Sequence, residues 1–490
     1  MVNYFMYKQE SKYPSDTYYR PDIAYPEYPF KELGISETKN DVYEMIREIF
    51  YHIGLDNENF GTENWNPLER YIKPGNTVLI KPNLVNHTNP SEKVYKKGME
   101  CLTTHPSIIR TMIDYVYIAL KGRGTIIVAD APIQDCDFNF MLEKGGYSNI
   151  LKFYRQLQDS MLQFGINDLR KVTLVRDKEV LKQRVRKDLK FEEKIINIGR
   201  HSKFAHKDYE GKLRIINYDS NDVNRFHHDN VQAYGISDAC LQADVIINLP
   251  KPKTHRLAGF TGALKNVVGI CTRKEFLPHH CKGAQNKGGD EYKNSGILKN
   301  LSSNIDDIKN FALKRNMYMV SELLIKSNKE LNKLICRKDQ KRIKLGGWYG
   351  NDTIWRTIED LNYIVKFCNK SGKLCRTPQR TVIHLGDMIV SGEKEGPLAP
   401  SYKKVGGLLF ADDPVLFDLC LVRLMGFDYK KIPLLKNITK SNVHWKKDIN
   451  KLELCSNNPE FCGKINKVQD SFQFVPTSGW IGAMERQGEY

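Results

Sequence analysis

The 490-residue sequence lacks the marks of several large protein classes. Met1–Glu10 contains no apolar core of the kind found in secretory signal peptides, and no uninterrupted apolar run is long enough to span a bilayer. A Walker-type phosphate loop, a Gly-x-Ser-x-Gly elbow and the protein-kinase motifs are also missing. We therefore expect a cytoplasmic protein with no membrane partner that belongs to none of these enzyme classes.

The cysteines lack the spacings that metal clusters need. None of the eleven forms a Cys-x-x-Cys pair, and the shortest spacings are Cys271 to Cys281, Cys368 to Cys375 and Cys455 to Cys462. Such spacings are poor templates for a structural zinc or a ferredoxin-type cluster. We expect reduced thiols, as is usual in a cytoplasm, and no iron–sulfur cluster.

The sequence has fewer acidic than basic residues. The chain has 75 Lys and Arg against 58 Asp and Glu, which gives a formal net charge of +17. This excess favours anionic partners such as phosphates, carboxylates and nucleic acids. Because lysine is scattered and no nucleic-acid module concentrates it, we expect a small anionic ligand and no nucleic-acid partner. No pattern indicates an oligomeric state.

The hydrophobic pattern predicts an α/β fold. Strand patterns at 77–80, 125–128, 245–249, 381–385 and 407–410 alternate with helical patterns at 41–52, 106–121, 353–367 and 414–425. The order strand, helix, strand predicts parallel neighbours with right-handed crossovers. Since the chain is too long for one ordinary core, we expect two α/β domains with mostly parallel sheets and a cleft between them.

The chain divides into five segments on this basis. They are an N-terminal arm (1–39), a first α/β domain (40–270), a loop-rich and helical insertion (271–345), a second α/β region (346–437) and a C-terminal tail (438–490). The arm is rich in Tyr and Pro, so it either lies over a domain or is partly disordered. In the insertion, Lys282–Asn300 is interpreted as a loop, and the basic stretch Lys326–Lys344 as a helix with a solvated face.

Polar residues follow the predicted strands at their carboxyl ends. Examples are Lys81 and Asn83 after one strand, Asp130 after the next, and Asp387 after a third. In open α/β sheets, ligands bind in the crevice beyond these ends. Turns after strands are often polar without a function, so the prediction of a ligand site rests on the whole set.

The richest of these segments is Lys251–Asn266, which follows the apolar run Val245–Leu249. It combines several cations with glycines that let a backbone approach a ligand, which suits a phosphate or a carboxylate. A desolvated lysine such as Lys265 can become a nucleophile near other cations, and His255 could move protons. The alternative is a glycine-rich turn packed on a sheet, with exposed lysines.

Two further groups could bind a metal. His279 and His280, with cysteines nearby, could bind zinc, nickel or iron, although adjacent loop histidines are often ordinary polar residues. Asp413 and Asp418 could hold Mg²⁺ or act as acid or base, but a carboxylate at a helix start such as Asp413 can equally cap the helix. Both alternatives stay open.

These segments resemble the bacterial and archaeal family called domain of unknown function 362. The similar segments, within 75–435, are Val78–Leu84, Asp130–Pro132, Asp244–Gly269, Asp387–Pro397 and Gly406–Gly426. Lys394 departs from the family, which tends to carry Gly there, and this puts the conformation of that turn in question. Some members carry a ferredoxin-like cysteine module, which this chain lacks. The family name implies no activity.

A more distant resemblance is to lactate racemase and its relatives, the nickel-pincer nucleotide enzymes. Ala243-Asp244, His255, Gly259–Lys265 and His279 or His280 fall in a similar order. By similarity, Lys265 would tether the cofactor, His280 would ligate the nickel and His255 would carry protons. Ala263 stands where those enzymes have Gly, and their Pro-Gly pair and a clear second catalytic histidine are missing.

Together these patterns predict an enzyme acting on a small anionic substrate, of the racemase or epimerase type or a related oxidoreductase. Lys265 and His255 would be catalytic, with a nickel-pincer nucleotide or a divalent metal as cofactor. The predicted substrate- or cofactor-binding residues are Lys81, Asn83, Asp130, Lys251, Lys253, Thr254, Gly259, Thr261, Gly262, Asn266, Asp387 and Glu393, and the predicted metal ligands are His279 and His280. The alternative is a non-catalytic protein that binds a nucleotide or phosphorylated metabolite within a biosynthetic assembly.

Overall fold

The computed structural model describes residues 1–94, 98–177, 180–205, 207, 209, 211–216, 218–338, 345–441, 448–467 and 470–486. The strands are β1 (Asn3–Tyr7), β2 (Thr77–Lys81), β3 (Thr125–Asp130), β4 (Ile166–Asp168), β5 (Val172–Asp177), β6 (Val180–Val185), β7 (Glu193–Asn197), β8 (Leu213–Arg214), β9 (His227–His228), β10 (Val231–Ser237), β11 (Val245–Asn248), β12 (Lys253–His255), β13 (Gly259–Thr261), β14 (His280–Cys281), β15 (Thr381–Glu393), β16 (Ser401–Ala411), β17 (Glu453–Leu454) and β18 (Gly463–Lys464). The α-helices are α1 (Asp41–His52), α2 (Pro106–Leu120), α3 (Phe138–Lys144), α4 (Tyr147–Tyr154), α5 (Ser220–Phe226), α6 (Asp238–Gln242), α7 (Ala263–Asn266), α8 (Ile297–Lys314), α9 (Tyr318–Lys338), α10 (Ile354–Phe367), α11 (Pro414–Met425) and α12 (Pro433–Ser441).

One large sheet organises the fold. Within the described residues nine strands belong to it, in the order β1-β16-β15-β11-β2-β3-β4, with β12 and β13 attached beside β15. The run from β15 through β4 is parallel, whereas β16 and β1 add to one edge in antiparallel fashion. The predicted α/β class with a mostly parallel sheet is therefore confirmed. Strands from both predicted α/β regions, 40–270 and 346–437, share this sheet.

The central strands are buried on both faces because they carry unbroken apolar runs. In β2, Val78 and Ile80 pack into the core formed with α1 and α2, whereas Leu79 packs into the core on the opposite face. In β11, Ile247 packs into the first of these cores and Ile246 into the second. With both faces covered, the strand ends are where a ligand can reach this sheet.

Most of the predicted helices are confirmed. The bounds of α1 and α11 are those predicted, and α2 and α10 differ from the prediction by one residue. Among the described residues, no helix is both long and apolar enough to cross a lipid bilayer.

Three expectations need correction or sharpening. The strand expected to end at Leu385 continues to Glu393, because it keeps pairing with β16 across a register shift between Met388 and Val390. The last residues of the predicted loop 282–300 are helical, since α8 begins at Ile297, and the basic helix is part of the longer α9. Residues 339–344 of the predicted basic stretch lie outside the described residues.

The N-terminal arm is ordered against the sheet, through β1 and through a buried ion pair. Lys251 Nζ lies 2.8 Å from Asp387 Oδ2, and both side chains are fully buried. Tyr13 of the arm donates its hydroxyl hydrogen to Asp387 Oδ1 and accepts a hydrogen bond from Lys251 Nζ, both at 2.7 Å. The backbone N–H of His105, just before α2, donates to Asp387 Oδ2 at 2.9 Å. This network holds the arm, β15 and the start of α2 together.

Asp387→Ala should destabilise the protein strongly, because it leaves the Lys251 ammonium buried without a counter-charge. We expect a loss of about 3–5 kcal/mol in the free energy of unfolding, measured by urea denaturation followed by circular dichroism. The double variant Lys251→Met/Asp387→Leu removes both charges and should lose much less. A loss in Asp387→Ala no larger than that of a surface ion pair would contradict this role.

Candidate functional site

A cavity of about 330 Å³ lies beyond the carboxyl ends of β2 and β3. Its walls come from the segment after β2, the segment Asp130–Asp135 after β3, the β12–β13 hairpin, α7 and the loop before β14. The predicted site residues that line it are Asn83, Asp130, Lys253, His255, Thr261, Lys265, Asn266 and His279. Residues far apart in the sequence thus meet in the crevice where α/β sheets bind ligands.

Other predicted site residues support the cavity without lining it. Lys81 Nζ forms an ion pair with Asp130 Oδ1 at 2.7 Å. Thr254 Oγ1 donates to the carbonyl oxygen of Lys394 at 2.8 Å. Gly259 and Gly262 belong to the hairpin and to the turn before α7.

Three more predicted site residues lie elsewhere. Lys251 and Asp387 form the ion pair that anchors the arm. Glu393 Oε2 accepts a hydrogen bond from the backbone N–H of Val475 at 3.0 Å. Asp387 and Glu393 were expected to flank a turn after the strand, but both lie within β15 and neither lines the cavity.

The Gly259–Asn266 segment folds into a tight structure that presents Lys265. β12 pairs with β13, and one turn of helix, α7, follows. The Asp418 carboxylate accepts hydrogen bonds from the backbone N–H groups of Ala263 at 2.6 Å and Leu264 at 3.1 Å. A Cβ at Gly262 would overlap Asp418 Oδ1, so glycine is required there. Asp418 therefore fixes the backbone that carries Lys265.

The aspartates of α11 thus have structural roles here. Burial raises the pKa of Asp418 to about 8, although its two backbone donors favour the charged form. Asp413 caps α11 by accepting from the N–H groups of Val415 and Leu416. Asp413 therefore caps the helix, which is one of the two roles that the sequence left open for it.

The Lys265 amine faces the cavity without a protein partner. Among the described residues, no hydrogen bond or ion pair involves its Nζ atom. Burial, together with the positive charges of Lys274 and Lys81, lowers the pKa of Lys265 from 10.5 to about 7. A large fraction of the amine is therefore neutral near physiological pH, when a free lysine is almost fully protonated.

Two more lysines line the cavity without a carboxylate partner in the described part of the chain. Lys274 Nζ donates to the carbonyl oxygen of Ala131 at 3.0 Å, and burial lowers the pKa of Lys274 to about 8. Lys253 Nζ donates to Asn83 Oδ1 at 2.7 Å and to the Leu102 carbonyl oxygen at 2.6 Å. Burial lowers the pKa of Lys253 well below its usual value.

Asp130 forms no ion pair with these three lysines, because its oxygens are already engaged, although its negative charge acts on Lys253 and Lys274. Oδ1 pairs with Lys81 Nζ and accepts from the N–H of Ala131 at 2.9 Å, and Oδ2 accepts from the N–H of Leu84 at 2.7 Å. The chain crosses this pair at Gly269, where a Cβ would overlap both Asp130 Oδ1 and Lys81 Nζ. In the cavity wall, the basic residues outnumber the acidic residues Asp130 and Asp135; they are Lys253, Arg256, Lys265 and Lys274.

The two histidines of the cavity present opposite hydrogen-bonding groups to it. His255 Nδ1 accepts from the backbone N–H groups of Leu257 at 3.1 Å and Ala258 at 3.2 Å, so in the neutral ring the proton is on Nε2. His279 Nδ1 lies 2.6 Å from the Leu277 carbonyl oxygen, which can only accept, so Nε2 carries the lone pair. Burial lowers the pKa of both rings, that of His279 to about 4, and both are neutral at pH 7.

A chain of amide side chains sets the orientation of the polar wall. Asn83 Nδ2 donates to Asn266 Oδ1, and Asn266 Nδ2 donates to Asn248 Oδ1, each at 2.7 Å. Since Asn83 Oδ1 accepts from Lys253, the positions of these groups depend on one another.

Sequence analysis missed part of this cavity. Lys274 and Gln134 line it and follow no motif that marks them, and the same holds for Asn248, which supports Asn266 without lining the cavity. The apolar wall was missed too, and comprises Val85, Ile133, Leu174, Ile215, Ile216, Leu257, Leu277, Pro397 and Leu398. These residues come from distant, weakly periodic segments, so only the folded chain brings them together.

The turn after Glu393 keeps the conformation that glycine favours. Lys394 has a φ of 63°, in the left-handed region. The turn is held by the hydrogen bond from Thr254 and by the N–H of Arg256, which donates to the Gly396 carbonyl oxygen at 3.0 Å. Pro397 and Leu398 then close one side of the cavity. This turn therefore accommodates Lys394 at the position where the family tends to carry Gly.

The adjacent histidines His279 and His280 face different spaces, as successive residues of an extended segment do. His279 lines the main cavity, whereas His280 lines a smaller one of about 30 Å³ beside Glu291 and Asp307. Across the described ranges, no group of three or more His, Cys, Asp or Glu side chains is arranged to hold a metal ion. Metal binding by these histidines stays a prediction.

A protein-family model described as "Domain of unknown function (DUF362)" matches residues 78–201 and 200–423. The matched residues make up well over half of the chain and include the β12–β13 hairpin and Lys265. No curated protein and no solved structure matches the chain.

Lys274→Met should raise the pKa of the Lys265 amine above its value of about 7, because it removes a neighbouring positive charge. The pH dependence of Lys265 acylation by trace acetic anhydride, read by mass spectrometry of the Lys265 peptide, measures this pKa. The matched variant Lys274→Arg keeps the charge and should leave the pKa nearly unchanged. An equal Lys265 pKa in all three proteins, or a value near 10.5 in the parent protein, would contradict the electrostatic explanation of the lowered pKa.

Proposed function

We propose the following function for this chain, which belongs to the DUF362 family: it is an enzyme that moves a proton on a small anionic substrate bound in the Lys265 cavity. The reaction is of the racemase or epimerase type, at a carbon atom next to the carboxylate or carbonyl group of the substrate. The observation that carries the proposal is the Lys265 amine, which faces an enclosed cationic cavity and has no partner among the described residues.

The cationic wall supports an anionic substrate. Lys253, Lys274 and Arg256 line the cavity, and the nearby carboxylate Asp130 is occupied by Lys81. A bound carboxylate or phosphate would supply the missing negative charge, and charge-assisted hydrogen bonds to such groups are among the stronger ones in proteins. The apolar wall opposite favours a substrate that also has a short apolar part.

The neutral groups of the cavity are suited to proton transfer. In this proposal Lys265 removes the proton, since a base is most effective when its pKa lies near the working pH. The Nε2–H of His255 donates a hydrogen bond to the substrate oxygen on which negative charge builds up when the proton is removed. A neutral histidine can play this role in a buried site. His279 Nε2 is the free acceptor that takes up and returns a proton.

The resemblance to the nickel-pincer nucleotide enzymes fits this cavity only in part. Lys265, the residue that would tether the cofactor, lines the main cavity. His280, the residue that would ligate nickel, lines the other cavity, where its Nδ1 atom is buried without a hydrogen bond. Lys265 and His280 therefore do not fit one bound group, and no step of the proposed reaction is assigned to that cofactor or to a divalent metal.

The second candidate is a non-catalytic protein that binds a nucleotide or a phosphorylated metabolite for a biosynthetic assembly. The several lysines and the arginine of the cavity favour it, because phosphates are bound by clusters of cations. It needs the cations but not a neutral amine, so a measurement of proton transfer separates the two candidates.

In D₂O, the protein should incorporate deuterium into its substrate at the carbon next to the carboxylate or, in an oxo acid, at the carbon next to the carbonyl group. We would test small chiral hydroxy, oxo and amino acids and follow the exchange by proton NMR. Lys265→Met should slow the exchange by about 10²–10⁴-fold, the usual contribution of a positioned general base. Lys329→Met, which changes an exposed lysine of α9, is the matched control and should keep the parent rate.

Exchange that is equally fast in Lys265→Met would refute the catalytic role of that amine. Thermal stabilisation by nucleotides or phosphorylated metabolites, lost in Lys265→Met and Lys274→Met, with no exchange in any candidate acid, would favour the binding protein instead.

A further inference from the structure

We infer that the substrate carries a carbonyl group and that Lys265 binds it covalently as an imine. This inference rests on the proposed function and narrows its substrate class to small oxo acids, which combine a carboxylate with a neighbouring ketone or aldehyde. Three features of the cavity carry it: the isolation of the amine, the other cations that can hold the carboxylate, and the two histidines of opposite polarity.

The isolation of Lys265 is the first feature. Lys81 and Lys251 each contact a carboxylate at 2.7 to 2.8 Å, as buried lysines normally do. Lys265 faces the cavity with neither a carboxylate nor a hydrogen-bond acceptor among the described residues. A desolvated amine beside other cations is the arrangement in which lysine acts as a nucleophile toward carbonyl carbon.

The second feature is that Lys265 is not needed to hold the substrate's negative charge. Lys253, Lys274 and Arg256 line the same cavity and can bind the carboxylate. The Lys253 amine is fixed by Asn83 and by the Leu102 carbonyl, and the Lys274 amine by the Ala131 carbonyl. These fixed cations can hold the anionic end, while the unfixed amine of Lys265 stays available for the carbonyl carbon.

The third feature is the pair of neutral histidines, which can handle the protons of imine formation. The neutral amine adds to the carbonyl carbon, and the Nε2–H of His255 is placed to hydrogen-bond to the oxygen as it becomes a hydroxyl. His279 Nε2 accepts the proton that the nitrogen loses and returns it to the oxygen, which becomes the hydroxyl. A second proton, taken from solvent, lets the hydroxyl leave as water and leaves the imine protonated. One C=N bond forms, one C=O bond breaks and one water is released, with no change in oxidation state.

The protonated imine explains how a C–H bond next to the former carbonyl can be broken at neutral pH. Its positive nitrogen accepts the electron pair of that bond and gives an enamine. The proton goes to His279 Nε2, because for these substrates Lys265 is the imine nitrogen and no longer the base. Return of a proton to the same carbon, from either side, restores the imine, and water then releases the oxo acid. Proton exchange or epimerisation at this carbon follows without an oxidant or a reductant.

The test uses 2-oxobutyrate as the probe and sodium cyanoborohydride to reduce any imine, at pH 7 on the full chain. Peptide mass spectrometry then compares Lys265 with the exposed Lys329 in the same sample, so the result does not depend on a variant that folds. We expect Lys265 to be labelled at least about tenfold faster, because its neutral fraction at pH 7 is far larger than that of a free lysine. Lys274→Met should slow this labelling and Lys274→Arg should not.

2-Hydroxybutyrate has the same shape and charge but no carbonyl, and it should compete for the cavity and slow the labelling of Lys265. Labelling of Lys265 no faster than that of Lys329 would overturn the imine. If 2-hydroxybutyrate then still raised the melting temperature and exchanged its proton in D₂O, the proposed function would stand with a substrate class other than oxo acids. If neither acid bound or exchanged, both proposals would fail for this class of acids.

Discussion

The burial of Lys265 without a counter-charge is the constraint on which the rest of the site depends. Moving an ammonium group out of water costs several kcal/mol unless a partner compensates it. The nearby carboxylate Asp130 is held by Lys81. The remaining way to lower the cost is to lose the proton, which is why the pKa of Lys265 falls to about 7. The lowered pKa of this amine therefore follows from the lack of a contacting counter-charge.

The scaffold makes this arrangement possible by fixing the backbone around the amine. Asp418 caps α7 from a neighbouring helix, and Gly262 leaves room for that carboxylate. Gly269 lets the following segment cross directly over the Lys81–Asp130 pair. The parallel sheet, buried on both faces, holds the ends of β2 and β3 rigid. These contacts fix the backbone from which Lys265 faces the cavity.

The sequence was sufficient to predict the features that depend on local pattern. Apolar runs followed by Lys81, Asp130 and the Lys251–Asn266 segment pointed to strand ends that do meet at one edge of the sheet. Asp387 was misplaced because β15 continues through an irregular pairing that no local signal marks. His279 and His280 could not be separated, since only the folded chain decides which of two successive side chains faces the cavity. Lys274 and the apolar wall depend on long-range packing and follow no motif.

The desolvation cost of Lys265 also makes the free energy of unfolding depend on pH and on the binding of a ligand. Below pH of about 7, Lys265 is protonated in both the folded and the unfolded chain, so the folded state carries the full desolvation cost. Between about 7 and 10.5 the unfolded chain holds more protons at this residue, so its contribution to stability improves as the pH rises. An anion in the cavity reduces the same cost by giving the lysines a counter-charge. In the proposed function, an anionic substrate would recover part of this cost on binding, so the desolvation of Lys265 would favour a negatively charged ligand.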